Sequence, residues 1–144
     1  METQNYANHR RYVPMFHSVL FGMIVLTQIG SLVNLYRSWG DHQRLYSASL
    51  IVVITVCLFF LFFFCRIFAL KAQDRAIRAE ENLRHFVLTG KALDPRLTIR
   101  QIIGLRFASD EEVASLAQRA AAENLSEDQI KRAVKNWRPD TYRA

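Results

Sequence analysis

The chain has 144 residues, a formal net charge of +6 and a hydrophobic content of 51%, yet its mean hydropathy is only +0.01. Apolar and charged residues are therefore separated along the chain: residues 13–70 carry three arginines and one aspartate, and residues 71–144 carry 14 basic and 11 acidic residues. Because the second part interleaves both signs of charge, it lacks the unopposed basic face that is typical of nucleic-acid binding, and the composition disfavours that class.

The first apolar segment, residues 13–36, follows a short polar segment of residues 1–12 that we predict to be cytoplasmic. Its 24 residues carry no formal charge. As a helix they extend roughly 36 Å, which exceeds the ~30 Å hydrocarbon core of a bilayer. The segment is also longer than the apolar region of a cleaved signal peptide, and no small-x-small cleavage site follows it. The pattern therefore predicts a first transmembrane helix over residues 13–36.

The second apolar segment, residues 46–70, is equally long and contains a phenylalanine-rich block at positions 58–64. Residues 37–45 separate the two segments and contain the turn signal Gly40-Asp41. So short a loop predicts an antiparallel transmembrane hairpin. Cys57 and Cys65 both fall in the second segment, about 12 Å apart on a helix, which is too far for a disulfide, so we expect two free thiols.

Basic residues near the ends of the two spans predict the orientation of this hairpin. Six of them flank its outer ends and two lie in the loop. Because cytoplasmic flanks carry the excess of Lys and Arg, we expect both termini in the cytoplasm of a bacterial inner membrane, with the loop outside. The six flanking residues are Arg10, Arg11, Arg66, Lys71, Arg75 and Arg78, and the loop holds Arg37 and Arg44.

Small and polar residues form a stripe along the first span. Ser18, Gly22, Gly30 and Asn34 recur at multiples of four positions, so on a helix they share one face. Such residues let a second helix approach closely, and an amide can hydrogen-bond across the contact. We predict that this stripe is a helix-packing interface, formed either with the second span of the same chain or with a helix of another subunit.

Residues 71–88 predict a cytoplasmic helix that continues the second span. They contain no Gly or Pro, and they pair charges at helical spacing, as in Glu80 with Arg84 and Glu81 with His85. One face repeats apolar residues at the 3-4 spacing of a heptad, which indicates either a weak packing face or a close helix–helix contact in a dimer or with a partner. This heptad seam consists of Ala69, Ala72, Ala76, Ala79, Leu83 and Phe86.

A linker over residues 89–97 leads to a small cytoplasmic helical bundle at residues 98–144. The starts of three short helices are predicted by three capping boxes, Thr98 with Gln101, Ser109 with Glu112, and Ser126 with Gln129. We expect the last helix to continue through Trp137 and to bear a basic face. This face is either solvated or meets anionic lipid or an acidic partner. It is formed by Lys131, Arg132, Lys135 and Arg138.

In this topology, the N-terminal segment and the residues after the second span lie at the same membrane surface. We therefore predict a juxtamembrane polar cluster that links the two segments. Its members are Asn5, Asn8, Arg11, Asp74 and Arg75.

The sequence contains no pattern that indicates catalysis or a cofactor. It has no nucleophile with an adjacent base, no P-loop and no spaced set of Cys and His ligands. His17, the one histidine within a span, has no counterpart at matching depth on the other span. We therefore expect that the protein is not an enzyme and needs no metal or cofactor.

Residues 4–12, 66–81, 105–111 and 130–138 resemble stretches of an uncharacterised family of small bacterial two-helix membrane proteins, known as a domain of unknown function. The resemblance extends over essentially the whole chain. It implies an all-α fold with two spans, and it implies no particular activity.

Three functions fit these features. The first is a non-catalytic accessory or scaffold subunit of a larger bacterial inner-membrane complex, which contacts membrane lipids and another integral membrane protein. The second is a self-assembling homo-oligomer that organises the membrane or forms a small channel. The third is a membrane-anchored regulatory tail that binds anionic lipid or DNA.

Overall fold

The computed structural model describes residues 4–9 and 11–140, and the regular secondary-structure elements of this part of the chain are all helices. A π-helical segment, Met15–Leu20, precedes α1 (Phe21–Arg37). The long helix α2 spans His42–Thr89. The three short helices are α3 (Ile99–Leu105), α4 (Asp110–Glu123) and α5 (Glu127–Ala133). The all-α class is therefore confirmed.

The chain divides into two compact units. Residues 12–69 form one, which we call the apolar unit. Residues 4–9 and 11, together with residues 70–140, form the other, the polar unit. Met15–Arg37 and His42–Thr89 are long and apolar enough to span a membrane, and only 11% of the most apolar stretch of each is buried. The apolar side chains of these two helices therefore remain largely exposed, whereas the core helix of a soluble protein is mostly buried.

Within the apolar unit, the two helices contact each other through a polar pair and through aromatic rings. The hydroxyls of Ser31 and Thr55 lie 3.3 Å apart and are buried. Phe16 stacks on Phe62 with ring centroids 4.4 Å apart. The turn between the helices is shorter than the predicted loop of residues 37–45. It needs Gly40, whose φ of +98° lies in the left-handed region that glycine favours.

The core of the polar unit is built around a close approach of α3 and α5. A Cβ at Gly104 would lie 3.1 Å from the carbonyl oxygen of Glu127 and 3.1 Å from the Ile130 side chain, so glycine lets the two helices meet here. The surrounding core is apolar. It includes Leu97, Ile102, Leu105, Val113, Leu116, Ala120 and Ile130.

The starts of the three short helices agree with the capping boxes. Thr98 and Ser126 each accept the backbone N–H of the glutamine three residues on, and each glutamine accepts the N–H of its cap residue. At α4, the Glu112 carboxylate accepts the Ser109 N–H. These local signals fix the starts of the helices independently of the tertiary fold.

The end of α5 differs from the prediction. The helix ends at Ala133 because Val134 is extended, with ψ of 122°. The chain then turns so that Trp137 pairs with Ala108 in an isolated antiparallel bridge, and the Arg138 N–H donates to the carbonyl of Phe107 at 2.8 Å. Lys135 and Arg138 therefore lie beyond α5, and the predicted four-residue basic helix face is wrong in this respect.

The packing face of α2 in the polar unit also differs from the heptad seam. Ile77, Glu81 and His85 are buried, whereas Leu83 and Phe86 are 64% and 54% exposed. Every seam residue is exposed. The helix therefore contacts the rest of the polar unit through a partly polar face, and the seam does not serve as its packing face within the chain.

Candidate functional site

The polar unit contains a cavity of about 590 Å³ in which three arginines and three carboxylates meet. Its wall combines Arg11 of the N-terminal segment, residues of α2 between positions 73 and 81, Arg106 at the end of α3, and the end of the described chain. Opposite charges balance in this cavity, so it suits ion pairing better than the binding of a small ion of one sign. The wall residues are Arg11, Gln73, Ala76, Ile77, Glu80, Glu81, Arg106, Arg138, Pro139 and Asp140.

Arg106 is one of the two buried charges of this cavity, with 9% of its surface exposed. Burial lowers the pKa of its guanidinium, and the neighbouring carboxylates, first among them Asp140, act in the opposite direction. Nη1 of Arg106 lies 3.0 Å from the Asp140 carboxylate. The guanidinium also lies over the Phe107 ring, 4.7 Å from its centroid. These contacts link the end of the described chain to the core.

Glu81 is the second buried charge, and its carboxylate is shared by two arginines. Arg84 Nη1 donates to it at 2.9 Å and Arg138 Nη1 at 3.4 Å. Arg84 also reaches Asp110 and donates to the Ala108 carbonyl at 2.8 Å. The predicted pairs of Glu80 with Arg84 and Glu81 with His85 are therefore replaced by an i, i+3 pair, because Arg84 turns toward the buried face of α2.

The N-terminal segment is attached to α5 and to the residues after it. The Tyr6 hydroxyl donates to the Asp128 carboxylate and accepts from Arg132 Nε at 3.2 Å. The His9 ring lies 5.9 Å from the Trp137 ring, centroid to centroid. The Asp140 N–H donates to the Gln4 side chain at 2.7 Å. These contacts join residues more than 120 positions apart, so they hold the two ends of the described chain together within the polar unit.

The structure shows the surroundings of each member of the predicted juxtamembrane polar cluster. Asn5 and Asn8 hydrogen-bond to each other's backbone N–H within the N-terminal segment. Arg11 lies in the cavity wall together with Gln73, the residue before Asp74. Asp74 raises the pKa of Arg106 through space, and Arg75 is exposed. The N-terminal segment lies in one unit with residues 70–140, and it hydrogen-bonds to α5 and to Asp140.

Most of the predicted basic face is paired inside the polar unit. Lys131 Nζ lies 2.6 Å from the Glu127 carboxylate, and only 12% of its side chain is exposed. Arg132 lies 2.9 Å from Asp128. Arg138 pairs with Glu81 in the cavity. Lys135 contributes its backbone N–H, which donates to Glu112 at 3.2 Å. Arg132, Lys135 and Arg138 nevertheless remain exposed, so carboxylates balance part of this charge without removing it from the surface.

The predicted helix-packing stripe is not the contact between the two helices of the apolar unit. A Cβ built at Gly22 or Gly30 meets no neighbouring atom within 4 Å. The Ser18 hydroxyl hydrogen-bonds with that of Tyr12, and Asn34 lines a small cavity at the turn. The contact with α2 lies instead at Ser31, a residue outside the stripe.

Tyr6→Phe is expected to raise the pKa of Asp128 towards its ordinary value, because the Tyr6 hydrogen bond is the first cause of its lowering, ahead of Arg132. Carbon-detected NMR titration of the carboxyl groups in the full chain measures this shift. Tyr12→Phe is the matched control, since it removes a hydroxyl whose partner is Ser18. An unchanged Asp128 pKa in Tyr6→Phe would contradict the attachment.

The same hydrogen bond makes the attachment pH-dependent. Because the folded-state pKa of Asp128 is lowered, its contribution is fully present above the ordinary pKa and is lost as pH falls through the lowered value. The contribution of the Asp94–Arg96 pair to stability has the same pH dependence, since hydrogen bonds from Arg96 lower the pKa of Asp94 to about 2.

The described residues contain no group of three His, Cys, Asp or Glu side chains that could hold a metal ion. The fold defines an all-helical protein with two helices long and apolar enough to span a membrane. A family model described as a family of unknown function, DUF6526, matches residues 1–144, and the chain belongs to this family. No curated protein and no solved structure matches the chain.

Proposed function

We propose that this protein is a non-catalytic accessory or scaffold subunit of a larger bacterial inner-membrane complex. In this proposal, residues 13–36 and 46–70 cross the membrane as an antiparallel hairpin, and both termini lie in the cytoplasm. The polar unit is then a small domain held at the cytoplasmic surface.

One observation carries the topology. Residues 4–9 and 11 pack with residues 70–140 in one unit, through contacts such as Tyr6 with Asp128 and Gln4 with Asp140. A bilayer cannot separate segments that pack together, so the chain leaves and re-enters this unit on the same side of the membrane. An even number of crossings follows, and the two apolar helices supply two. The excess of Lys and Arg on the outer flanks favours the cytoplasm as that side.

The contacts inside the apolar unit support the antiparallel hairpin. Residues near the start of the first span meet residues near the end of the second, as Phe16 meets Phe62. Residues later in the first span meet earlier ones in the second, as Ser31 meets Thr55. The chain reverses between Ser38 and Asp41.

The accessory or scaffold role is supported by the face of α1 that the hairpin leaves open. Gly22 and Gly30 have free space beside them, and the intramolecular contact uses Ser31 and Ile24 instead. A helix of another membrane protein can therefore approach the backbone of α1 closely at these two glycines, which is how small residues promote association in lipid.

The two alternative functions differ in support. A tail that binds anionic lipid or DNA needs free cations, whereas three of the four residues of the predicted basic face, Lys131, Arg132 and Arg138, already pair with carboxylates in the described part of the chain. Self-assembly, in contrast, is favoured by the exposed heptad seam on α2.

Gly22→Leu combined with Gly30→Leu tests the proposal in the full chain, purified from cross-linked native membranes in mild detergent. We expect the wild type to retain a stoichiometric heterologous membrane protein and the double variant to lose it. The change adds side-chain bulk but favours the helix, so a loss does not reflect an unfolded span.

Thr27→Phe is the control, because it adds as many side-chain heavy atoms as one Gly→Leu change, to the same helix at an exposed position outside the stripe. It should leave the partner bound. The proposal is contradicted by a wild type that purifies without any heterologous partner, or by equal loss of the partner in the control.

A further inference from the structure

The face of α2 that carries the heptad seam lies nearly opposite the face that holds the polar unit together. With about 100° of rotation per residue, Ile77, Glu81 and His85 lie on the far side of the helix from Ala76, Ala79 and Leu83. The first three are buried and the last three are exposed. No seam residue is buried in the polar unit, although Ala76 lines the edge of its cavity, and the seam is left as an unpartnered apolar surface.

Lipid does not account for this surface in the proposed topology. Leu83 lies 13 residues beyond Leu70, the end of the second span, which is about 20 Å further along the helix. Leu83, Phe86 and Val87 are 64%, 54% and 74% exposed. Large apolar side chains grouped in this way outside the bilayer mark a protein contact.

The charges beside the seam indicate that a second copy of the chain would cover it. In the heptad of the seam, Arg75 takes position g and Glu80, five residues later, takes position e. In a parallel, in-register pair of helices, position g of one helix faces position e of the next heptad on the other. Arg75 of each copy would therefore meet Glu80 of the other, giving two ion pairs related by the two-fold axis.

Both charges are exposed beside the seam, and Glu80 also lines the cavity of the polar unit. Arg75 and Glu80 are exposed and form no ion pair or hydrogen bond within the described part of the chain. Their neighbours Glu81 and Arg84 are turned inward and pair with each other at 2.9 Å.

We propose that α2 forms a parallel, in-register homodimer through the seam from Ala72 to Phe86. The alanines bring the two backbones close together at the membrane end, and Leu83 and Phe86 fill the wider part beyond. The inference rests on the proposed topology, because two copies inserted in one membrane with the same orientation present α2 in parallel. It adds a second copy as a partner that the accessory role alone does not require.

Cysteine cross-linking of the full chain in native membranes tests the dimer. Cys57 and Cys65 are first replaced by serine, and single variants Ala76→Cys, Ala79→Cys and Lys71→Cys are oxidised. The first two positions lie on the seam, and Lys71 is an exposed control on another face. We expect covalent dimers several-fold more abundant at the two seam positions than at Lys71. Equal cross-linking at all three positions would overturn the proposal.

Charge exchange tests the register. In the Ala79→Cys background, Arg75→Glu alone and Glu80→Arg alone should each reduce the cross-linked fraction, because like charges then face each other. The double exchange should restore it. A double exchange that stays as low as the single ones would overturn the parallel, in-register pairing.

The same variants separate this inference from the proposed function. Absence of seam cross-links in protein that still retains its heterologous partner overturns the dimer alone. Intact cross-links in protein that purifies without any such partner overturn the accessory role alone.

Discussion

Phe107→Ala is expected to lower the free energy of unfolding of the polar unit by about 3–5 kcal/mol, the range for removing a buried aromatic side chain. Phe107 is completely buried, and its ring centroid lies 5.0 Å from that of Trp137 and 5.8 Å from that of His9. The substitution therefore removes the common contact of the N-terminal segment, the core and the end of the described chain.

Hydrogen exchange of the amides in α3 to α5, measured in the full chain in nanodiscs over a urea series, gives this free energy. Phe107→Leu is the matched control, because it keeps most of the apolar volume and should cost clearly less. A loss in Phe107→Ala no larger than in Phe107→Leu would show that the ring contacts do not hold the unit together.

Glu81→Ala is expected to cost about 3 kcal/mol by the same measurement. Removing one partner of a buried ion pair leaves the other charge uncompensated, at about 3–5 kcal/mol. We expect a loss at the lower end of this range because Arg84, whose side chain is only 11% exposed, keeps its contact with Asp110.

Glu123→Ala is the matched control for Glu81→Ala. Its carboxylate also pairs with an arginine, but both Arg119 and Glu123 are about half exposed, at 53% and 54%. Exposed pairs contribute roughly 0–1 kcal/mol. Similar losses in the two variants would mean that burial of Glu81 does not matter.

The helices could be predicted from the sequence because their signals are local. The two long apolar helices could be predicted from the length of the apolar segments and their lack of charge. The capping boxes at Thr98 and Ser126 depend only on residues three positions apart. The end of α5 could not be read locally, since Val134 leaves the helix to let Trp137 reach Ala108 and Phe107, nearly thirty positions earlier.

The contacts of the N-terminal segment were missed for a similar reason. Tyr6 and Asp128 carry no pattern that links them across 122 positions, whereas proximity to the membrane suggested Asp74 as the partner. The pairing of Arg84 with the buried Glu81 could not be predicted either. Glu80 and Glu81 lie four and three positions before Arg84, and both spacings allow an ion pair on a helix. Only the fold decides which face of α2 is buried.

The stripe on the first span shows the limit of residue type as a guide. Glycines permit close helix contact but do not specify the partner. In the structure the two helices meet at Ser31 and Thr55, and the space beside Gly22 and Gly30 stays open.

Site-directed labelling tests the central claim most directly, namely that both ends of a two-span hairpin lie on the cytoplasmic side. Single cysteines are placed at Ala7, Trp39 and Lys91 in a chain with Cys57 and Cys65 replaced by serine, and spheroplasts are treated with a membrane-impermeant maleimide. Labelling of Trp39→Cys in intact spheroplasts is expected, with Ala7→Cys and Lys91→Cys labelled only after permeabilisation. Labelling of Ala7→Cys or Lys91→Cys in intact spheroplasts would contradict the account.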